Sequence, residues 1–285
     1  MPLVSALAML PAARAAGYAV GAFSIHTPEM VDAVFAAAER ERAPIILQVG
    51  RRTVRNSGVD AACAWVRARA AQSPVPACLH LDHAQDLDAI VRGLRAGCSS
   101  VMYDGSDLPF EENVRRTAEV VRICHAADVP VEAEVGRVGG IEDDISVDEA
   151  SARLASPEAC LDFVTRSGCD ILAPAFGSAH GLGGTTPHLD LERLGAIAAA
   201  VPQPLVLHGG SGLDPQQLRG AVAGGVAKVN LDTELRRVFV QALGEALQRY
   251  GPQDDPQPAL AAAGRALEAL VAERMEVLGS RGRAG

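Results

Sequence analysis

Short runs rich in Val, Ile and Leu alternate along this chain with longer stretches whose apolar residues recur every three or four positions. The first kind predicts strands at YAVGAF (18–23), PIILQV (44–49), VPACLHLD (75–82), SSVMYDG (99–105), VPVEAEV (129–135), CDILAPAF (169–176), QPLVLHG (203–209) and VAKVNLD (226–232). The second kind predicts helices such as PEMVDAVFAAAERER, DLDAIVRGLRAG, PFEENVRRTAEVVRICHAAD and DPQQLRGAVAGG. Helix starts are marked by Thr27-Pro28, Asp86 and Asp214-Pro215, and stops by Gly97, Gly168 and Gly225.

Eight strands, each followed by a helix-sized segment, imply a parallel sheet in an α/β fold. That number within 285 residues points to a closed (β/α)8 TIM barrel, one domain over 1–285, with an extra N-terminal helix and a C-terminal helical extension from about Pro258. An open doubly wound sheet is the rival, but no GxGxxG follows the first strand. Two segments exceed the usual loop length, 136–155 (GRVGGIEDDISVDEASARLA) and 177–188 (GSAHGLGGTTPH), and long βα loops in barrels are commonly active-site loops.

Composition narrows the function. A net charge of −9 supplies no basic stripe for a nucleic acid, though it leaves room for a local anion site. The six cysteines form no CxxC pair, as expected of reduced, buried thiols in a cytoplasmic protein. The opening MPLVSALAMLPAARAAGYAV is apolar but lacks a basic start and contains Arg14, so a short surface helix is expected rather than a secretory signal. No uncharged apolar run is long enough to span a membrane.

Polar residues fall at the strand ends. His83 follows strand 3, Asp104 strand 4, and Glu134 ends strand 5. His180 lies in the loop after strand 6, His208 ends strand 7 and Asn230 ends strand 8. This is the face on which barrel enzymes build their sites. One such histidine is ordinarily a hydrogen-bonded core or loop residue. Three from three strand ends suit zinc, with Asp104 and Glu134 as further ligands or partners that orient the imidazoles. His26, His125 and His188 lack that support, and His125 is expected to be solvated on a helix. Glycine-rich HGGSG (208–212) and NLDT (230–233) each open a helix after strands 7 and 8, where barrels often hold phosphate.

These segments carry a resemblance. MPLVSALAML, GYAVGAF, LHLDH, SVMYDGSDLPFEENV, VEAEVGRVGGIEDD, GSAHG, VLHGGSG and KVNLDTELR are similar, in order and almost end to end, to the class II metal-dependent ketose-bisphosphate aldolases. The resemblance implies reversible aldol cleavage of fructose 1,6-bisphosphate or tagatose 1,6-bisphosphate into dihydroxyacetone phosphate and glyceraldehyde 3-phosphate. It implies zinc on His83, His180 and His208, with Asp104 and Glu134 holding the metal when it shifts, or a second divalent ion. Asp82 would act on the C4 hydroxyl, and Glu142, in a mobile loop, on the C1 proton. Gly181, Gly209, Gly210, Ser211, Asn230, Leu231, Asp232 and Thr233 would hold the phosphate and hydroxyls, beside a monovalent cation. A homodimer or homotetramer is implied as well.

Three positions depart from the family pattern. Ser24 replaces an asparagine after Phe23, Gly50 a serine near the far phosphate, and Gly184 a lysine. Arg51, Arg52 and Arg55 in the loop after strand 2 suggest a different anionic aldehyde half, although a charge run is ordinarily solvated surface. Two other readings stay open. A Schiff-base aldolase would have to use Lys228, the only lysine, and a non-catalytic paralogue would bind sugar phosphate as a sensor. Within LHLDH, strand alternation points His80 and Asp82 into the barrel, and by itself selects His80 as the ligand. The resemblance selects His83.

Overall fold

The computed structural model describes residues 3–142, 145–147, 154–180, 187–250 and 255–284. Eight parallel strands close into a barrel: β1 (Val20–Ser24), β2 (Ile45–Val49), β3 (Ala77–Ala84), β4 (Ser100–Tyr103), β5 (Val131–Val135), β8 (Ile171–Pro174), β10 (Leu205–Leu207) and β11 (Val226–Leu231). Each overlaps one of the eight predicted runs, but β3 continues through His83, which the sequence placed just after the strand. β1 pairs with β11 through Ala22↔Asn230, which closes the circle.

Alternation sorts the side chains into two layers. Leu79 and Leu81 of β3 face outward into the large cluster formed with the surrounding helices. Helix α5 (Leu87–Ala96) comes close because Gly93 faces Leu81, where a Cβ would lie 2.8 Å from Cδ2. Val20, Ala22, Ile46, Cys78, Ile171, Ala173, Val206 and Ala227 face the other way, into a second cluster.

The N-terminal segment closes that inner cluster from below. Ala6, Met9, Leu10 and Ala13 of the first turn and of α1 (Leu10–Ala16) pack on its floor. Arg14 reaches from α1 to the carbonyls of Ala198, Val201, Pro202 and Gln203, at the C-terminus of α8 (Leu191–Ala200). The expected surface helix is therefore a plug. At the other end of the chain, α11 (Gln257–Val277) packs against α10 (Thr233–Tyr250) and α2 (Pro28–Glu41).

Two loop expectations change. GRRTVRNSG is largely a helix, α3 (Arg51–Ser57), started after Gly50 and stopped at Gly58, whose φ of 81° favours glycine. Within 136–155, β6 (Gly139–Glu142) and β7 (Ile145–Val147) pair antiparallel, and β6 pairs with β9 (Ala179–His180). These three short strands form a second sheet, joining the loop after β5 to the loop after β8.

Candidate active site

The site begins with an irregularity in β3. Pairing with β4 runs regularly through Leu81↔Val101 and then slips, so that Ala84 meets Tyr103. The slip is taken up at His83, whose φ of 50° lies in the left-handed region. For a non-glycine residue that costs roughly 1–2 kcal/mol, so the surroundings must hold it. A bond of 2.8 Å between His83 Nδ1 and Asp104 Oδ2 does so from the end of β4. Asp104 also accepts from the Ser106 amide and hydroxyl, at 3.1 and 2.7 Å. Burial raises the Asp104 pKa, but the His83 and Ser106 contacts outweigh it and hold the group below the usual carboxylate range.

His208 comes from the opposite side of the barrel, just past β10. Its ring centroid lies 4.9 Å from that of His83, edge to face. Donor atoms of His83, Glu134 and His208 all fall within 4.8 Å of one another, and all three residues are buried. Two imidazoles and a carboxylate converging from three strand ends fit a borderline divalent ion such as zinc. Glu134 Oε2 stands 2.9 Å from His208 Nδ1. The backbone of His180 is aligned with Gly140 in the small sheet, while its side chain, like that of Glu142, lies outside the described set. Gly181 and Gly184 also lie outside the described residues.

Asp82 and His80 occupy the interior face as alternation requires. Gln48 Nε2 donates to Asp82 Oδ1 at 2.8 Å. Burial raises the Asp82 pKa, yet the charge of His83, with His80 and Lys228, prevails and lowers it, favouring a carboxylate ready to accept a proton. His80 is fully buried; its Nδ1 is 2.9 Å from Ser100 Oγ, and its Nε2 is 3.6 Å from Asp82 and 3.8 Å from Glu132. Burial, then Lys228, lowers its pKa and favours the neutral ring. His80 is thus an interior partner at a level below the metal-type cluster.

Sequence reasoning missed Glu132 and Gln48. Glu132 is fully buried, 2.6 Å from Lys228 Nζ and 3.0 Å from His208 Nε2. The signal was present in VEAE: Glu132 and Glu134 lie two apart on one strand and so share a face. Burial lowers the His208 pKa, but the bonds to Glu132 and Glu134 prevail and raise it to about 9. His26 also gains a place, bridging Thr53 on α3 at 3.0 Å and Asp232 at 2.8 Å. His125, at the end of α6 (Phe110–His125), is exposed as expected but reaches Asp170 at 2.9 Å.

A polar cradle follows β10 and β11. Gly210 packs so tightly that a Cβ would lie 2.8 Å from the Asn230 carbonyl and 2.6 Å from Val229 Cγ1. Gly209 has φ 67°. Ser211 Oγ accepts from the Asp232 and Glu234 amides, at 3.1 and 3.4 Å. Arg236 grips Asp232 with contacts of 2.8–3.0 Å. Thr233 opens α10 directly after Asp232, while Leu231 faces the outer apolar layer rather than the cradle. Asn230 is buried, and neither side-chain polar atom has a hydrogen-bond partner among the described residues. An orphaned amide of this kind costs roughly 1–3 kcal/mol unless a ligand satisfies it.

A closed β/α barrel with buried histidines, carboxylates and an unsatisfied amide at its strand ends defines the class: a barrel enzyme with a group of side chains at its mouth that could hold a metal ion. Residues 4–283 match the family model described as fructose-bisphosphate aldolase class-II, and the chain belongs to that family of aldolases. It is 40% identical to a fructose-bisphosphate aldolase of Thermus caldophilus, over 99% of this chain and 100% of that one. It is 37% identical to a sulfofructosephosphate aldolase of Alkalicoccus urumqiensis, over 100% and 99%. Among solved structures, the YdjI aldolase from Escherichia coli K12 superposes with a TM-score of 0.89 at 30% identity, covering 99% of this chain and 100% of that one. A putative fructose-1,6-bisphosphate aldolase from Coccidioides immitis gives 0.88 at 33% identity, covering 98% and 97%.

Proposed function

We propose that the chain is a zinc-dependent aldehyde-lyase that reversibly splits a ketose 1,6-bisphosphate into dihydroxyacetone phosphate and glyceraldehyde 3-phosphate. The observation that carries this is the convergence of His83, Glu134 and His208 within 4.8 Å beside the buried carboxylate of Asp82. His83, His208 and His180 would hold the ion, with Glu134 and Asp104 as alternative holders. Bound there, zinc would act as a Lewis acid on the ketose oxygens.

The chain's own groups supply the rest. Asp82, fixed by Gln48, accepts the C4 hydroxyl proton as the C3–C4 bond breaks and the aldehyde leaves. Glu142 then returns a proton to C1 of the enediolate, giving dihydroxyacetone phosphate. Asn230 hydrogen-bonds the substrate with its unsatisfied amide, and the segments 209–211 and 230–233, with Gly181, hold the phosphate. Lys228 is a poor Schiff-base candidate, because its ammonium is paired with Glu132 in the interior.

A second reading is favoured by one contact. Arg51, half-buried at the start of α3, donates to Gln85 Oε1 at 2.9 Å, which sets a cation beside the end of β3. Gly50 and Ser24 leave nearby positions small. The aldehyde half would then carry another anion at its far end, for instance a sulfonate; the Alkalicoccus relative is named a sulfofructosephosphate aldolase. Six free, buried cysteines support a reducing, cytoplasmic setting, and no described helix is long and apolar enough to cross a membrane. A homodimer or homotetramer is expected, and sedimentation analysis measures it. The test of function is a cleavage assay of the zinc-loaded chain with fructose and tagatose bisphosphates and the 6-sulfonate analogue. Loss of all cleavage on chelation is expected; turnover of none of the three would overturn the proposal.

A further inference from the structure

His208 lies between two carboxylates, and these are not equivalent. Glu134 Oε2, 2.9 Å from Nδ1, belongs to the group of donors that converge with His83. Glu132 Oε1, 3.0 Å from Nε2, sits one step deeper on the same face of β5, and its other oxygen is 2.6 Å from Lys228 Nζ. Glu132 and Lys228 are both fully buried. The pair links β5 to β11 across the barrel, and through His208 it also touches the end of β10.

Resting on the metal-dependent reading above, we propose that Glu132 and Lys228 are positioning residues that commit His208 to offer Nδ1, not Nε2, to the metal ion. A neutral imidazole carries one N–H, and the nitrogen that donates cannot also be a ligand. A carboxylate fixed at Nε2 holds the proton there, so Nδ1, which faces Glu134 and the His83 side, is the nitrogen left to give up its proton to Glu134 and offer its lone pair when an ion binds. Glu134 can exchange its contact with His208 for a contact with the ion. Glu132 cannot, because Lys228 holds it in place and supplies the counter-charge that a buried carboxylate needs. The chain's only lysine therefore serves as a counter-ion for an orienting carboxylate.

Glu132→Gln, Lys228→Met, the double variant and His208→Ala test this in the full-length chain. The readouts are zinc affinity by competition with a chromogenic chelator, the visible spectrum of the cobalt-substituted protein, and Tm of the metal-free protein. His208→Ala should lose tight zinc binding. Glu132→Gln should weaken zinc by roughly 10- to 100-fold, the usual effect of losing a ligand's orienting partner, and should shift the cobalt bands. Lys228→Met leaves a buried carboxylate without its cation and should lower the metal-free Tm. The double variant removes both charges, so it should recover that Tm while zinc remains weak. A purely structural pair would instead recover both. Wild-type-like zinc affinity in Glu132→Gln or in the double variant, with His208→Ala impaired, overturns the inference and leaves the metal reading intact. If His208→Ala binds zinc as the wild type does, both fall.

Discussion

Nδ1 of His83 lies 2.8 Å from Oδ2 of Asp104, whereas Nδ1 of His80, three residues earlier on the same strand, lies 2.9 Å from the hydroxyl of Ser100. The first histidine is oriented by an anion at the mouth, and the second by a neutral group in the interior. That difference predicts distinct losses. His83→Ala should weaken zinc binding by more than about 100-fold, beyond what an outer partner costs. His80→Ala should chiefly lower stability, by about 2–4 kcal/mol, as truncation of a buried ring does. Zinc titration and thermal unfolding of both variants check the assignment.

Asp82 should separate proton transfer from metal binding. Asp82→Asn keeps the shape but cannot accept the C4 proton. Its kcat for cleavage should fall by roughly 10²- to 10⁴-fold, the range for losing a general base, while zinc affinity stays near that of the wild type. Gln48→Leu removes only the 2.8 Å bond that holds the carboxylate, so its effect should have the same sign and be smaller. Steady-state kinetics on the zinc-loaded variants measure both.

Lys228 offers a clean mechanistic contrast. Its Nζ is buried and pinned 2.6 Å from Glu132 Oε2, a contact it would have to give up to attack a carbonyl. Borohydride added with dihydroxyacetone phosphate should leave both activity and mass unchanged. Chelation should abolish cleavage, and added zinc should restore it. A mass increase corresponding to a reduced adduct on Lys228 would reverse the conclusion.

Arg51 tests the far end of the substrate. If its guanidinium meets the terminal anion, Arg51→Ala should raise KM by roughly 10- to 100-fold, the loss of a charge-assisted hydrogen bond, with a smaller change in kcat. Unchanged KM in Arg51→Ala, Arg52→Ala and Arg55→Ala with the preferred substrate would remove α3 from substrate binding.

Arg14 acts at the opposite end of the barrel. Four carbonyls at the end of α8 accept from it, an arrangement that also complements the helix dipole. Arg14→Ala should cost about 2 kcal/mol and lower Tm by about 5 °C, with kcat unchanged at 25 °C. Calorimetry together with the cleavage assay distinguishes this from an effect on the site.

Much of this architecture could be read from the chain because period-two runs and helix punctuation repeat eight times, and a parallel sheet of that number closes. Alternation correctly sent His80 and Asp82 inward and Leu79 and Leu81 outward. It could not place His83, because the register slip at Leu81/Ala84 and the φ of 50° depend on β4 and Asp104, which are distant in sequence. The helix α3 was hidden for another reason: a run of charges with one valine has no apolar stripe from which to recognise a helix. The plug over the barrel floor was read as surface, since its partners come from six other strands. The pairing of Glu132 with Glu134 on one face of β5 is legible in VEAE, but what the deeper glutamate does depends on Lys228 and His208, which come from distant strands.

The central claim is that metal-assisted deprotonation takes place at the mouth of the barrel, and exchange of the C1 proton of dihydroxyacetone phosphate with deuterated water tests it most directly. The zinc-loaded chain should show stereospecific loss of one C1 proton signal by NMR, and chelation should stop it. No exchange with zinc bound, or exchange that persists after chelation, would contradict the account.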